Sequence, residues 1–141
     1  MALLDDKIRA QVRERFKELD GPVKIINFTQ EIECQYCTET RRLMEEIAGL
    51  SDKIAFEVYN FVADKEKADE YKIDKIPATV VVGEKDYGIR YYGIPSGYEF
   101  ATVIESVLMV SKKDSGLAED TRKALAGLKK PLHLQVFVTP T

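Results

Sequence analysis

The sequence predicts an α/β fold. Four apolar runs of strand length, over residues 23–28, 54–61, 79–82 and 87–93, are rich in the β-branched and aromatic residues that strands favour. Between and after these runs, apolar residues recur at helical spacing. Apart from an additional helix at the start of the chain, the predicted order of elements is β-α-β-α-β-β-α.

The additional helix precedes the first strand. Its apolar residues recur at i, i+4, i+8 and i+11, which gives one stripe over about four turns: Ile8, Val12, Phe16 and Leu19. Asp5 or Asp6 can cap the start of this helix, and the Gly-Pro pair at residues 21–22 ends it.

The helix after the first strand has a buried stripe that runs to about Gly49 and consists of Thr40, Leu43, Met44 and Ile47. Residues 64–71 predict a short polar helix. The strands at 79–82 and 87–93 are joined by four residues and predict a β-hairpin. Ser96 and Glu99 predict a capping box for a helix with Phe100, Val103, Ile104, Val107 and Leu108 on its apolar face. We expect one core to contain Phe28, Val81 and Ile104.

Size and charge restrict the classes of protein to which the chain can belong. Its 141 residues fit one ordinary domain, and 45% hydrophobic residues indicate a globular chain. A net charge of −3 with interspersed signs gives no reason to expect nucleic acid or a membrane as partner. No apolar run reaches about 20 residues, and no secretory signal is recognisable, so we expect a cytoplasmic protein. Charged residues at 32% favour a thermophile source.

The two cysteines of the chain, Cys34 and Cys37, follow the first strand and open a helical pattern. If Cys34 starts the helix, the two Cα atoms lie roughly 5–6 Å apart, within reach of a disulfide. A thiol at a helix N-terminus also ionises more readily than a free thiol. The arrangement therefore suits an attacking thiolate, Cys34, with a resolving thiol, Cys37, behind it.

Two other interpretations of the cysteine pair are open. A structural zinc site needs about four ligands, and the chain offers only His133 in addition, a residue that reads as an ordinary strand position. A purely structural disulfide would close a very small ring and restrain the unfolded chain little. A C-x-x-C between a strand and a helix is typical of redox chemistry, which we therefore favour, with no metal and no cofactor.

Three stretches carry a resemblance to known proteins. Cys34-Gln35-Tyr36-Cys37 and Ile76-Pro77-Ala78-Thr79 resemble the motifs of the thioredoxin/glutaredoxin superfamily. The string over residues 86–100 resembles the N-terminal unit of the protein disulfide oxidoreductases of hyperthermophiles, which contain two thioredoxin-like units in tandem. The resemblance implies the thioredoxin fold, a four-stranded mixed sheet with helices on both faces. It also implies that the Ile76–Pro77 bond is cis and faces the dithiol.

The resemblance also implies a domain organisation. Residues 1–113 would form a thioredoxin-like unit with its N-terminal helix, and residues 114–130 a linker helix outlined by Leu117, Thr121, Ala124, Leu125 and Leu128. Residues 131–138 alternate in polarity, so that residues 131–141 read as the first strand of a second, truncated unit. The chain stops where the family places its second C-x-x-C. The exposed apolar face of such a strand could pair with a second copy to give a homodimer.

The function implied is that of a dithiol–disulfide oxidoreductase. Cys34 and Cys37 would exchange disulfides with protein partners, and Tyr36, Ile76 and Pro77 would bind the substrate. A thioredoxin-reductase-like protein is the electron donor that such a dithiol implies. The alternative is a redox-inactive thioredoxin-like interaction module whose chemistry lay in the missing half.

One position departs from the thioredoxins, which carry a buried acid six residues before the first cysteine. Phe28 occupies that position here, so the proton relay is expected to be absent or supplied from elsewhere. Glu31, Glu33 and Glu39 surround the dithiol, and their negative charge opposes formation of a thiolate.

Overall fold

A computed structural model describes residues 2–139. In this region the chain forms nine elements, in an order that follows the prediction. They are α1 (Asp6–Phe16), β1 (Val23–Thr29), α2 (Cys37–Ala48), β2 (Ile54–Asn60), α3 (Lys65–Glu70), β3 (Ala78–Val82), β4 (Ile89–Tyr92), α4 (Tyr98–Lys112) and α5 (Glu119–Ala126).

The four strands form one mixed sheet in the order β2-β1-β3-β4. Strand β1 pairs in parallel with β2 and antiparallel with β3, and β3 pairs antiparallel with β4 as a hairpin. In the β1–β3 pair, Asn27 lies opposite Thr79 and Phe28 lies opposite Ala78. The predicted four-stranded mixed sheet flanked by helices is confirmed.

Each face of the sheet has its own core, because successive side chains of a strand point to opposite faces. Val23 and Ile25 of β1 contribute to the core that includes residues of α1, α2 and α4. Ile26 and Phe28 contribute to the core on the face covered by α3. The expectation that Phe28 shares a core with Val81 and Ile104 is therefore wrong for Phe28, whereas Val81 and Ile104 do share one.

Helix α1 is fixed at both its start and its inner face. The Asp5 carboxylate accepts a hydrogen bond from the Ile8 backbone N–H at 2.8 Å, so Asp5 is the N-cap, one of the two predicted candidates. Val12 and Phe16 are buried. The helix ends at Phe16, three residues before the predicted limit, although Leu19 is still buried.

A side-chain pair closes the β3–β4 hairpin. Arg90 donates from Nη1 to Asp86 Oδ1 at 2.9 Å and from Nη2 to Asp86 Oδ2 at 2.5 Å. Its Nε also donates to the Tyr71 carbonyl at 3.1 Å, which joins the hairpin to the end of α3. The hydrogen bonds from Arg90 hold the pKa of Asp86 below its usual value, so at neutral pH the pair is fully ionised.

The predicted capping box of α4 does not form. The helix begins at Tyr98, and its N-cap is Gly97, which has a φ of 60° and no side chain to offer. Ser96 lies one residue too early to serve as N-cap and instead accepts a hydrogen bond from the Glu99 N–H through its backbone carbonyl. A glycine in the left-handed region sets the start of this helix.

The C-terminal region differs from the prediction in one respect. Helix α5 forms within the predicted linker, and none of its residues is buried. Residues 131–139 form no strand and are exposed throughout, whereas the sequence predicts a strand over 131–138. A strand needs a hydrogen-bonded neighbour, and no described strand pairs with this segment. Residues 140 and 141 lie outside the described residues, and the assignment of 131–141 to a second unit remains a prediction.

The helices of the described region are ordinary in length and polarity. None of those between residues 2 and 139 is both long enough and apolar enough to cross a membrane.

Substitution of Ile104 tests the packing of α4. Ile104 is nearly fully buried in the core that α4 shares with α1 and α2, so Ile104→Ala should lower the free energy of unfolding by about 2–5 kcal/mol. Leu125→Ala is the matched control, because Leu125 is exposed on α5, and it should cost well under 1 kcal/mol. Denaturant unfolding measures both, and equal small losses would contradict the packing described here.

Candidate active site

The loop between β1 and α2 carries the two cysteines. Strand β1 ends at Thr29, residues 30–36 follow as a loop, and α2 begins at Cys37. Cys34 and Cys37 form a disulfide with their Cα atoms 5.5 Å apart. The prediction that Cys34 starts the helix is wrong by three residues. Glu33, with a φ of 57°, turns the backbone into the left-handed region just before Cys34, and Tyr36 is the N-cap.

The two sulfur-bearing residues differ in their access to solvent. Cys37 is 0% exposed, because it lies on the inner face of α2 with Thr40, Met44 and Ile47. Cys34 is partly exposed, since it belongs to the loop and not to the helix. An incoming thiol or disulfide therefore has access to Cys34 and not to Cys37.

The N-terminus of α2 favours negative charge near Cys34. No side chain caps this helix, so its first-turn N–H groups have no carboxylate or hydroxyl as a partner. The Thr40 hydroxyl and the Thr40 N–H both donate to the Tyr36 carbonyl, at 2.7 and 3.0 Å, and fix the first turn. The dipole of the helix opposes the charges of Glu31, Glu33 and Glu39, which are all exposed and therefore screened by solvent.

The proline loop lies at the same end of the sheet as the dithiol loop. The Ile76–Pro77 peptide bond is cis, as the resemblance implied. Ala78, the next residue, is opposite Phe28 near the end of β1, and the Pro77 carbonyl accepts a hydrogen bond from the Gly93 N–H at 2.9 Å. Pro77 is buried and Ile76 is partly exposed, so Ile76 is the member of the pair that a substrate can reach.

Four apolar side chains are exposed, wholly or in part, at this end of the sheet. Ile32 and Tyr36 belong to the dithiol loop and are 73% and 50% exposed. Val62 follows β2, which is parallel to β1, and is also exposed. Ile76 precedes β3, which is antiparallel to β1. We call these four residues the apolar rim. Ile32 and Val62 were missed in the sequence analysis, because only the strand directions place them at one end.

Phe28 does not face the dithiol helix. Its ring lies against Tyr59 and Tyr71, with centroid distances of 5.7 and 6.0 Å, on the face covered by α3. By the alternation of β1, the residue that faces α2 at this level is Asn27, which is fully buried. Asn27 and its neighbour Thr79 are polar residues within apolar runs, a signal that the sequence analysis did not use.

A metal site receives no support from this part of the chain. Among residues 2–139, no three His, Cys, Asp or Glu side chains are grouped so that they could hold a metal ion. His133, the one further ligand considered, is exposed in the C-terminal segment.

Known proteins with related sequences place this site in a family. No family model matches the sequence. A thioredoxin from Methanocaldococcus jannaschii is 33% identical over 75 residues, which cover 52% of this chain and 82% of that protein. The chain belongs to the thioredoxin family.

Two further relatives of this thioredoxin-like chain match nearly its whole length. A crystal structure of a protein disulfide oxidoreductase from Aeropyrum pernix has a TM-score of 0.79 and 29% identity, and the match covers 91% of this chain and 57% of that one. One polypeptide of the alkyl hydroperoxide reductase from Pseudomonas aeruginosa is 23% identical over 135 residues, 96% of this chain. The chain spans about a quarter of the length of that polypeptide.

The difference in exposure predicts different reactivities for the two cysteines. When the reduced thioredoxin-like chain is alkylated under native conditions, Cys34 should be labelled at least about tenfold faster than Cys37, because Cys37 is shielded by α2. Mass spectrometry of the two labelled peptides over time measures this ratio. Labelling after denaturation is the control and should be equal. Preferential native labelling of Cys37 would reverse the assignment.

Proposed function

We propose that the chain is a dithiol–disulfide oxidoreductase that exchanges disulfides with proteins through Cys34 and Cys37. The observation that carries the proposal is the C-x-x-C disulfide, which has one accessible sulfur in a loop and one buried sulfur on a helix. A structural disulfide needs no such asymmetry. The membership in the thioredoxin family and the similarity to a protein disulfide oxidoreductase support the same chemistry.

The reaction proceeds by two exchange steps when the reduced protein meets a substrate disulfide. The Cys34 thiolate attacks one substrate sulfur, breaks the substrate S–S bond and forms a mixed disulfide, and the other substrate sulfur leaves as a thiolate. Cys37 then loses its proton and attacks Cys34. This second step forms the Cys34–Cys37 disulfide and releases the second substrate thiolate, which takes a proton from water. Two electrons pass from the protein to the substrate, and the reverse sequence oxidises a substrate dithiol.

A protein substrate would lie across the apolar rim. Tyr36 and Ile32 flank the reactive cysteine, and the Ile76 backbone groups can pair with an extended segment of the substrate. Pro77 keeps the backbone at Ile76 turned toward the dithiol end of the sheet. Exposed apolar side chains that surround a reactive group are typical of a surface that contacts a protein and not a small disulfide.

The partners and the setting follow from this chemistry. A protein with its own dithiol, similar in role to a thioredoxin reductase, would return electrons to the Cys34–Cys37 disulfide. We also propose a cytoplasmic location in a thermophile. The content of charged residues, 32%, supports a thermophile, a setting in which intracellular disulfides are common.

Reduction of insulin tests the proposed function. The chain should accelerate disulfide reduction by dithiothreitol, and Cys34→Ser should reduce the rate to the uncatalysed background, because the attacking sulfur is lost. Cys37→Ser should instead accumulate a mixed disulfide between Cys34 and insulin, which mass spectrometry detects. Equal, negligible rates for the parent chain and Cys34→Ser would favour the alternative, a redox-inactive interaction module.

The apolar rim predicts a separation of protein substrates from small ones. Ile32→Ser and Tyr36→Ser should each lower kcat/KM for insulin by roughly 3–30-fold, as the loss of exposed apolar contacts at an interface does. The rate with a small aromatic disulfide should change less than twofold. Leu125→Ser, at an exposed apolar position of α5, is the control and should leave both rates unchanged. Equal losses with both substrates would show that the rim acts on the cysteines and not on the substrate.

The C-terminal segment supports a proposal about assembly. Five of its apolar side chains are exposed, from 65% at Leu132 to 90% at Phe137, and they occur over seven residues: Leu132, Leu134, Val136, Phe137 and Val138. Such a segment favours burial at about 1.5–3 kcal/mol for each fully covered side chain. We propose that in longer proteins it begins a second thioredoxin-like unit, and that the 141-residue chain alone pairs through it as a homodimer.

Light scattering measures the assembly directly. The 141-residue chain should have the mass of a dimer at high concentration, and a variant that ends at Lys130 should have the mass of a monomer, because it lacks the exposed apolar segment. Charged substitutions at Leu134 and Val136 provide a control of full length and should also give monomers. If the full chain is monomeric at every concentration, the homodimer proposal is wrong.

A further inference from the structure

Two polar residues face each other within the core under the dithiol helix. Asn27 of β1 lies opposite Thr79 of β3, and both side chains are 0% exposed. Asn27 has the same parity along β1 as Val23 and Ile25, and Thr79 has the same parity along β3 as Val81. Both side chains therefore point to the face of the sheet that α2 and α4 cover.

Each of the two side chains has a hydrogen-bonding atom without a partner. Asn27 Nδ2 donates to the Ala78 carbonyl at 3.2 Å, which fixes the amide and leaves Asn27 Oδ1 uncommitted. Asn27 Oδ1 and Thr79 Oγ1 are the two buried side-chain polar atoms of the described region for which no protein partner lies within hydrogen-bonding distance. Leaving a buried polar atom unpaired costs about 1–3 kcal/mol, so a second polar group is expected to use them.

The topology places Cys37 above this pair. Helix α2 connects the parallel strands β1 and β2 and therefore runs in the opposite direction to both, with its first turn over their C-terminal ends. Asn27 lies in that part of β1, two residues before its end. Cys37 and Thr40 are the buried residues of the first turn, and the Thr40 hydroxyl is already bonded to the Tyr36 carbonyl.

We propose that Asn27 and Thr79 are positioning residues for Cys37, which hydrogen-bond its sulfur once the disulfide is reduced. The inference rests on the proposed function, since it concerns the resolving step of the exchange. In the thiol form, the Cys37 S–H donates to Thr79 Oγ1, whose own hydrogen points to Asn27 Oδ1. In the thiolate form, the Thr79 hydroxyl rotates and donates to the sulfur.

Neither residue of the pair takes up the proton. An amide and a hydroxyl do not titrate near neutral pH, so the proton of Cys37 passes to water as the sulfur attacks Cys34. The substrate thiolate that leaves takes a proton from water, and the count of protons and electrons is that of the exchange itself. The pair stabilises the Cys37 thiolate without adding a charge to the core.

The surroundings of Cys37 contain few groups that could titrate in its place. Among the residues of the four described strands that face α2 and α4, Tyr91 is the titratable one; burial raises its pKa, and its hydroxyl lies 2.7 Å from Ser106 Oγ. From α4, Glu99 is exposed, and on α2 the nearest charged residues, Glu39 and Arg41, are also exposed. The loop adds Glu31 and Glu33, which are exposed as well. The titration of Cys37 should therefore follow a single ionisation.

The test uses the full chain with Cys34→Ser, in which Cys37 is the one remaining thiol. The ultraviolet absorbance of its thiolate is measured against pH. Adding Thr79→Val, an isosteric change that removes the hydroxyl, should shift the midpoint to higher pH, so that the thiolate fraction at a fixed pH below the midpoint falls about 2–10-fold. Thr79→Ser should keep the parent midpoint. Asn27→Asp should add a second inflection, because a buried carboxylate titrates together with the thiol.

The outcomes separate this inference from its competitors. Thr102→Val, on the exposed side of α4, is the matched control and should leave the midpoint unchanged. A folded Thr79→Val protein with the parent midpoint would assign the pair a purely structural role and overturn the inference, and so would a single unchanged inflection in Asn27→Asp. Because the titration needs no substrate, it gives its result whether or not the parent chain reduces insulin, and the proposed function fails or stands on the insulin rates alone.

Discussion

The antiparallel pairing of β1 with β3 is the constraint on which the site depends. Its register sets Ala78 opposite Phe28, and so brings the proline loop before β3 to the end of the sheet where β1 leads into the dithiol loop. The same register decides which residues share a face. A shift by one residue would exchange the two cores and move the polar pair Asn27 and Thr79 away from α2.

The chemistry of the dithiol then follows from where α2 begins. Because the helix starts at Cys37, this cysteine is held on a buried helical face while Cys34 remains in the loop. The uncapped first turn provides N–H groups and a positive dipole next to the exposed sulfur. The accessible cysteine is thus also the one whose ionised form the helix favours. Burial and electrostatics act on the two sulfurs in opposite directions, as an attacking and a resolving group require.

Sequence patterns predicted most of this arrangement, and the failures have physical causes. The strands and helices of the sheet region were found because their apolar periodicity is strong. The starts of α2 and α4 were misplaced, because Glu33 and Gly97 adopt left-handed backbone conformations that no periodicity records. The placement of Phe28 and Asn27 required the strand register. Residues 131–138 have the pattern of a strand, but a strand also requires a neighbour, which the pattern cannot supply.

The backbone at Glu33 limits how the charge next to Cys34 can vary. A φ of 57° is costly for most side chains and most costly for β-branched ones, while glycine, asparagine and aspartate accept it readily. Exchange of this glutamate for asparagine or glycine would remove a negative charge and also relax the backbone. Exchange for valine or threonine would remove the same charge but strain the turn that presents the sulfur. Conformation and charge are therefore inherited together at this position, so the electrostatic setting of the reactive cysteine can be altered through only a few of the twenty amino acids.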